Sequence, residues 1–276
     1  MTALAGSHAV VTGGSSGIGR ATARLLAAGG ARVSLLARDE VRLADAARDV
    51  SFGVASDMVG VASADVRDGA ALRAAVARLT EGLGPCDILV TAAGTAHPGY
   101  FEQLDESVFR DQMEVDYFGT LHAVRAVVPS MIERKRGHLV LVGSTAALIG
   151  VFGYSAYAPA KYAVRGLAET LRVELAPHGI VVSCVYPPDT KTPGLDRENA
   201  MKPPETERIS ASIKPRDATR VAQAIVRGIE RDRLVITADL QTAALARAAG
   251  LLGPYVRRTM DRTVRKVRRQ RGTFET

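Results

Sequence analysis

The chain has 276 residues, 47% of them hydrophobic and 24% charged, which excludes a disordered chain and suffices for one large α/β domain. It has no tryptophan and only 5% aromatic residues, so few rings are available to stack on single-stranded nucleic acid. The net charge of +7 arises in residues 241–276, where nine basic residues meet two acidic ones, and the chain before them is formally neutral.

The cysteines and the hydropathy pattern favour a cytoplasmic protein in a reducing compartment. Cys86 and Cys184 are far apart and form no CxxC pair, so we expect small core side chains rather than a disulfide or zinc ligands. No run of 18 or more apolar residues occurs, and Met1 is not followed by the charged and apolar regions of a secretory signal. A spanning helix and secretion are therefore disfavoured.

Short apolar segments alternate with amphipathic helical patterns through most of the chain. The predicted strands are 8–12, 32–37, 59–64, 88–91, 139–143 and 181–186, and the first helices are 17–28, 39–50 and 68–79. A long helix begins near Glu106, with Pro129 and Gly137 around its end. This alternation is typical of a parallel sheet covered by helices on both faces. We therefore predict one Rossmann-type, doubly wound α/β domain over 1–236, followed by a basic helical extension over 237–276.

A glycine-rich turn follows the first predicted strand and opens the first predicted helix. Gly13, Gly17 and Gly19 have the spacing GxxxGxG. Glycines at such a turn let the backbone approach a pyrophosphate, and the free N–H groups of the helix N-terminus hold its negative charge. The turn therefore predicts a dinucleotide site.

The end of the second predicted strand indicates which dinucleotide binds. Arg38 stands there, no acidic residue precedes it, and Asp39 follows. An acidic residue at this place would bind the ribose 2′-hydroxyl, whereas an arginine pairs with a 2′-phosphate. We therefore predict NADPH/NADP+; if Arg38 is only a solvated charge, either dinucleotide would bind.

Tyr157 and Lys161 lie four residues apart, with Ser144 upstream at the end of an apolar strand. That spacing places the phenol and the ammonium on one face of a helix. A free phenol titrates near about 10, and a neighbouring ammonium is expected to lower its pKa. Ser144 can then bind the substrate oxygen. Tyr154 competes for the role of acid, but it lies seven residues from Lys161, so Tyr157 is better placed.

Together these motifs resemble the short-chain dehydrogenase/reductase family over about residues 6–236. The resemblance rests on the glycine-rich turn, Asp65-Val66, Ala93-Gly94, Ser144, Tyr157 with Lys161, and the proline turn after the sixth strand. Within the family, Tyr186-Pro187-Pro188-Asp189-Thr190 and the following 191–206 segment are similar to the 3-ketodihydrosphingosine (3-ketosphinganine) reductases.

The resemblance implies NADPH-dependent reduction of a long-chain ketone, 3-ketodihydrosphingosine to dihydrosphingosine, in sphingolipid biosynthesis. Tyr157 would protonate the alkoxide, Lys161 would lower the tyrosine pKa and bind the nicotinamide ribose, and Ser144 would orient the carbonyl. It implies a homo-oligomer as well. The implied cofactor-binding residues are Gly13, Ser15, Ser16, Gly17, Ile18, Gly19, Arg38, Asp65, Val66, Ala93, Gly94, Tyr157, Lys161, Pro187, Thr190 and Thr192. Reduction of another ketone, such as a 3-ketoacyl or steroid compound, and a non-catalytic NADP-binding module stay as alternatives.

Two positions depart from the family pattern. Thr91-Ala92 stands where the family usually has Asn-Asn or Asn-Cys, and Asp116 stands where an asparagine often completes the catalytic group. If only the backbone carbonyl of that position acts, Asp116 can substitute. If its side chain faces the site, the carboxylate favours a charged Lys161 and raises the tyrosine pKa.

Residues 187–215 interrupt the alternation with six prolines and many charges. Because they follow the carboxyl end of a strand, where ligands bind in parallel sheets, we predict a substrate lid; the alternative is a floppy surface loop. The five histidines show no ligand spacing, so we predict no metal site. His97 either touches the substrate or is an ordinary loop residue.

The carboxyl-terminal extension has a basic amphipathic pattern. Val256, Met260, Val264 and Val267 recur at helical spacing among arginines. Such a helix could lie on an anionic membrane and deliver a lipidic substrate, which would place the protein on the cytoplasmic membrane face. Alternatively it is a packed or solvated terminal helix, or a subunit contact. No recognition motif accompanies the charge, so nucleic acid is not a predicted partner.

Overall fold

A single parallel sheet organises the computed structural model. The structure describes residues 1–211 and 213–272, and within them seven strands form the sheet in the order β3-β2-β1-β4-β5-β6-β9. Ser212 of the predicted lid and residues 273–276 of the predicted extension lie outside the described residues. The seven strands are β1 His8–Thr12, β2 Arg32–Ala37, β3 Val59–Ser63, β4 Ile88–Thr91, β5 Gly137–Val142, β6 Ile180–Val185 and β9 Val235–Ile236. A separate parallel pair joins β7 Thr190–Lys191 to β8 Arg216–Asp217.

Helices cover both faces of the sheet, which confirms the predicted doubly wound architecture. The helices are α1 Gly17–Ala28, α2 Glu40–Val50, α3 Gly69–Leu83, α4 Glu106–Gln112, α5 Gly119–Arg134, α6 Tyr157–Leu175, α7 Pro193–Asn199, α8 Pro204–Ser210, α9 Ala218–Glu230 and α10 Leu240–Gly272. Side chains of α1, α2 and α9 build the core on one face, and those of α3, α5 and α6 build it on the other. Because both faces are buried, the central strands are apolar throughout rather than alternating.

The order in which strands are added to the sheet reverses between β1 and β4, which are parallel neighbours. Thr12, the last residue of β1, pairs with Leu36 of β2 on one side and with Thr91 of β4 on the other. Connections from β1 run toward β2 and β3, whereas those from β4 run toward β5 and β6. Such a switch point leaves a crevice at the carboxyl ends of the strands, where ligands bind.

The long helix ends at Arg134, between Pro129 and Gly137 as the sequence predicts. The helix that begins at Glu106 continues through a π-helical segment, Met113–Phe118, into α5, and Pro129 lies inside α5. A proline removes one backbone hydrogen bond from a helix. The flanking Val127 and Met131 are buried in the core, and this packing holds the helical turn despite that loss.

Residues 187–215 fold into short regular elements rather than a floppy loop. Pro193 and Pro204 occupy the first turns of α7 and α8, where a proline has no helical hydrogen bond to lose and its fixed φ suits the helix. The pairing of Thr190 with Arg216 ties the two ends of the segment together. The prolines therefore begin helices here.

The carboxyl-terminal extension forms α10, with a local break at Ala248. Its predicted apolar stripe is half-buried, and Met260 and Val264 line a pocket together with Gly150 and Phe152. The half-burial favours a packed terminal helix among the alternatives for this stripe. Within the described residues, no helix is long and apolar enough to cross a membrane.

Candidate active site

The glycine-rich turn has the shape that a bound pyrophosphate requires. Gly13 has φ +66°, and a Cβ there would lie 2.6 Å from the Ala92 carbonyl oxygen, so the turn packs against the residue after β4 only as glycine. Ser16 precedes α1 and makes no side-chain capping hydrogen bond within the described residues. The backbone N–H groups of the first turn are therefore open to an anion.

Arg38 and Asp65 follow the neighbouring strands β2 and β3 at the same edge of the sheet. The Arg38 Nη1 lies 3.8 Å from the Asp65 Oδ2, and the Arg38 side chain is 67% exposed. Arg67 holds Asp65 more tightly, at 2.7 Å, and its hydrogen bond lowers the pKa of Asp65. Because Arg67 neutralises Asp65, the Arg38 guanidinium is able to pair with a phosphate.

Ser144, Tyr157 and Lys161 come together as the sequence predicts. Ser144 follows β5, and its oxygen accepts a hydrogen bond from the Ala146 N–H at 3.1 Å, which fixes its position. Tyr157 begins α6, and the Lys161 Nζ lies 5.7 Å from the centre of its ring. The ammonium also donates to the Val142 carbonyl at 3.2 Å.

The Asp116 side chain faces the site, which decides between the two alternatives left by the sequence. Its Oδ1 lies 3.3 Å from the Lys161 Nζ and accepts the Thr95 N–H at 3.2 Å. Its Oδ2 is buried and has no hydrogen-bond partner among the described residues. A Cβ at Gly94 would lie 2.7 Å from the Oδ1, so the glycine leaves room for this carboxylate.

The pKa shifts of Tyr157, Asp116 and Lys161 differ from the sequence expectation for Tyr157 alone. Burial raises the pKa of Tyr157 to about 12, although Lys161 and a hydrogen bond from Ser144 lower it and Asp116 raises it. The predicted net lowering is therefore wrong, because burial outweighs the ammonium. Burial also raises the pKa of Asp116. For Lys161, burial lowers the pKa, but the charge of Asp116 reverses the outcome and raises it.

Tyr154 does not compete for the role of acid. Its hydroxyl donates to the Glu198 Oε1, so its proton is already engaged. Burial, followed by the charge of Glu198, raises the pKa of Tyr154. The geometry therefore favours Tyr157.

A cavity of about 420 Å³ joins the Tyr157 group to the segment after β6. His97 lines this cavity. The predicted site residues that line this cavity are Ile18, Gly94, Ser144, Tyr157, Lys161, Pro187, Thr190 and Thr192. The others are not among its lining residues and follow the carboxyl ends of β1 to β4: Gly13, Ser15, Ser16, Gly17, Gly19, Arg38, Asp65, Val66 and Ala93.

Two predicted hydroxyls have structural partners. Thr192 caps α7 by accepting the Leu195 N–H at 3.1 Å, and Thr190 donates to the Pro188 carbonyl at 2.7 Å. Both residues nevertheless line the cavity. They shape its wall, and their hydroxyls are engaged within the protein.

Sequence reasoning missed an ionic group on the cavity wall. The Lys202 Nζ lies 3.1 Å from Glu198 and 3.6 Å from Asp189. Lys202 lies beyond the end of α7 at Asn199, so the meeting of the three side chains depends on the path of the chain after the helix. Within the described residues, no group of three or more His, Cys, Asp and Glu side chains could hold a metal ion.

Comparisons with known proteins agree with this geometry. The family model for short chain dehydrogenase matches residues 7–203. The chain is 43% identical over 227 residues to the 3-dehydrosphinganine reductase of Danio rerio, covering 81% of this chain and 68% of that protein. It is 40% identical over 269 residues to the 3-ketodihydrosphingosine reductase of Dictyostelium discoideum, covering 91% and 80%.

A solved structure has the same fold. The short-chain dehydrogenase from Sphingobium yanoikuyae, in complex with NADPH, superposes with a TM-score of 0.76 at 30% identity, over 90% of this chain and 93% of that one. The fold, the Tyr157 and Lys161 geometry and the family match lead to one assignment. This chain belongs to the short-chain dehydrogenase family.

Proposed function

We propose that the protein is an NADPH-dependent reductase that converts 3-ketodihydrosphingosine, a long-chain ketone, to dihydrosphingosine in sphingolipid biosynthesis. The observation that carries the chemistry is the half-buried Tyr157 beside Ser144 and Lys161 in a cavity. The relatives that are 40% and 43% identical, both named for this reduction, support the substrate. The apolar side chains of Val151, Met201 and Ile213 on the cavity wall suit its hydrocarbon chain.

The residues of the site fit NADP(H). The N–H groups at the start of α1 would hold the pyrophosphate, Arg38 would pair with the 2′-phosphate, and Lys161 would bind the nicotinamide ribose. When bound, the reduced nicotinamide supplies the hydride to the carbonyl carbon.

The chain's own residues supply the proton and the orientation. With a pKa of about 12, the Tyr157 phenol is protonated at neutral pH, so it donates its proton to the oxygen that becomes the alcohol. The Ser144 hydroxyl donates a hydrogen bond to the carbonyl oxygen and orients it. The Lys161 ammonium stabilises the phenolate that is left, until solvent returns a proton.

Oxidation of NADPH by the purified protein with 3-ketodihydrosphingosine tests this proposal directly. We expect saturable turnover by the native chain, and a loss of about 100-fold or more in the Tyr157→Phe variant while NADPH binding, followed by its fluorescence, is retained. Tyr162→Phe is the matched control, because Tyr162 lies on the same helix and is 41% exposed. Full turnover by Tyr157→Phe would remove the catalytic assignment, and turnover confined to other ketones would remove the substrate.

The choice of dinucleotide has a separate test. We expect Arg38→Ala to raise the KM for NADPH by about tenfold or more, the loss of one charge-assisted contact, and to leave the KM for NADH unchanged. Arg48→Ala is the control, since Arg48 is an exposed arginine of the adjoining α2. Equal effects on both cofactors would show that Arg38 does not read the 2′-phosphate.

We further propose that the protein is cytoplasmic and binds the cytoplasmic face of a membrane peripherally. Arg258 and Arg262 are exposed on the outer side of α10, and Leu251 and Tyr255 continue that side toward its start. Each basic residue near an anionic surface contributes about 1 kcal/mol. We expect co-sedimentation with phosphatidylserine vesicles that weakens in salt and in an Arg258→Gln/Arg262→Gln variant. Equal binding to phosphatidylcholine vesicles would contradict this.

We also propose a homo-oligomer formed through the α5 and α6 side of the molecule. Phe118 and Val173 are large apolar side chains exposed on this side, and burying them between copies would be favourable. Light scattering after gel filtration measures the mass; a monomer at micromolar concentration would rule the proposal out.

A further inference from the structure

The cavity wall next to Tyr157 carries two carboxylates. Asp189 and Glu198 both line the cavity that holds Ser144, Tyr157 and Lys161. Glu198 accepts the Tyr154 hydroxyl, and the Tyr154 and Tyr157 ring centres are 5.6 Å apart. Glu198 therefore lies one side chain away from the group that donates the proton.

These carboxylates are incompletely neutralised. Lys202 bridges them, at 3.1 Å from Glu198 and 3.6 Å from Asp189, and its side chain is 1% exposed. One ammonium behind two carboxylates leaves one negative charge on the cavity side. Since charge in a partly desolvated place is unfavourable unless paired, this wall favours a cation from the ligand.

Arg197 is a second cation on the cavity lining. Its Nη2 is 4.0 Å from the place of a Cβ at Gly194, and among the described residues it forms no ion pair with Asp189 or Glu198. Lys202 is therefore the cation that these two carboxylates share.

We propose that Asp189 and Glu198 bind a protonated amine on the carbon next to the reacting carbonyl, so that the site selects long-chain α-amino ketones. With the carbonyl oxygen at Ser144 and Tyr157, an ammonium one carbon away reaches the neighbouring side chain. Its three N–H donors suit two carboxylates that share one lysine. This inference deepens the proposed function and rests on it for the reaction.

The apolar part of the same cavity supplies an independent match. Met201 is 39% exposed at the outer end, and Val151 and Ile213 line the cavity with it. An acidic wall near the reacting atoms and an apolar exit together fit a cationic head with a hydrocarbon tail.

The test compares two ketones that differ only in the amine. The substrates are 3-ketodihydrosphingosine and the matched ketone in which hydrogen replaces the amino group. We expect the native protein to prefer the amine in kcat/KM, and Glu198→Gln and Asp189→Asn each to lose about 30-fold on the amine, as for a charge-assisted hydrogen bond, with less than about threefold loss on the matched ketone. Glu106→Gln, which neutralises the exposed carboxylate of α4, should change neither.

A binding measurement decides the inference even if the native protein reduces some other ketone. Dodecylammonium and dodecanol, each below its micellar concentration, are titrated calorimetrically into the protein with NADP+. Tighter binding of the ammonium, lost in Glu198→Gln, supports an amine site. Equal binding of the ammonium and the alcohol would overturn the amine site. Equal losses of kcat/KM on both ketones in the variants would also overturn it, and would show that Glu198 only holds the cavity wall in place. Failure of the native protein to reduce 3-ketodihydrosphingosine would instead count against the proposed function.

Discussion

The charge of Lys161 interacts with both Asp116 and Tyr157. The carboxylate lies 3.3 Å from the ammonium, and the ammonium lies 5.7 Å from the centre of the tyrosine ring. Asp116 therefore has two effects at once, since it keeps Lys161 charged and opposes ionisation of Tyr157. A protonated phenol suits ketone reduction, whereas alcohol oxidation needs the phenolate.

Replacing Asp116 by asparagine separates these effects. Without the carboxylate, the pKa of Tyr157 falls, so the rising limb of the pH profile for alcohol oxidation with NADP+ should move to lower pH by about one pH unit. Asp105→Asn is the control, because Asp105 is exposed and makes no capping bond before α4. An unchanged profile would show that the Asp116 charge does not act on the tyrosine.

Single residues with fixed local spacing could be predicted from the sequence, and those defined by burial could not. Tyr157 and Lys161 are one helical turn apart, so their meeting follows from the chain alone. The net pKa of Tyr157 depends on burial by distant segments, which no local pattern contains. The same limit applies to Glu198, whose neighbour Tyr154 is 44 residues away.

Helix α10 is joined to the substrate wall through helix α8. The Arg268 Nε lies 3.4 Å from the Glu205 Oε1, and the guanidinium carbon lies 5.9 Å from the Phe152 ring centre. Glu205 is 2% exposed and also accepts the Tyr100 hydroxyl at 2.8 Å. The basic helix thus reaches one of the two helices that form the predicted lid.

Loss of this contact should loosen the substrate wall and spare the cofactor site. We expect Arg268→Gln to raise the KM for the long-chain ketone about threefold and to leave the KM for NADPH unchanged; the modest size reflects an arginine that is 61% exposed. Arg262→Gln removes the same charge from the outer side of α10. If both variants behave alike, net charge rather than the Glu205 contact explains the effect.

At the level of elements, periodicity and caps were sufficient for most of the sheet. The strand 8–12 and the helix 17–28 were predicted with the bounds that the structure shows, because each has one uninterrupted pattern. The prolines of 187–215 were harder, since a proline can lie in a loop or occupy the first turn of a helix. Tertiary packing decides between these outcomes.

His138 is a neutral histidine that is buried in strand β5 of the central sheet. Burial lowers the pKa of His138 from 6.5 to about 4, and its Nε2 lies 2.7 Å from the Ser183 hydroxyl oxygen. The pKa of His138 is lower in the folded protein than in the unfolded chain. The neutral imidazole therefore contributes fully to the free energy of unfolding above about pH 6.5, and this contribution is lost as the pH falls toward 4.

Acid should therefore destabilise the native fold through this residue. Between pH 7 and pH 5 the contribution of His138 to the free energy of unfolding falls by about 2 kcal/mol. Over the same interval, the free energy of unfolding of His138→Gln should therefore fall by about 2 kcal/mol less than that of the native protein. Urea unfolding at both pH values measures the difference. Parallel losses in the two proteins would assign the acid sensitivity to other groups.

The residues proposed to select the dinucleotide and those proposed to select the ketone lie in different stretches of the chain. The contact proposed to distinguish the dinucleotide comes from the end of β2, at Arg38, whereas the carboxylates proposed to bind the amine of the ketone, Asp189 and Glu198, follow β6. A crossover in β6 would therefore transplant substrate preference into a related chain with its coenzyme preference intact. Recombination at that point offers such proteins a short route to new substrates.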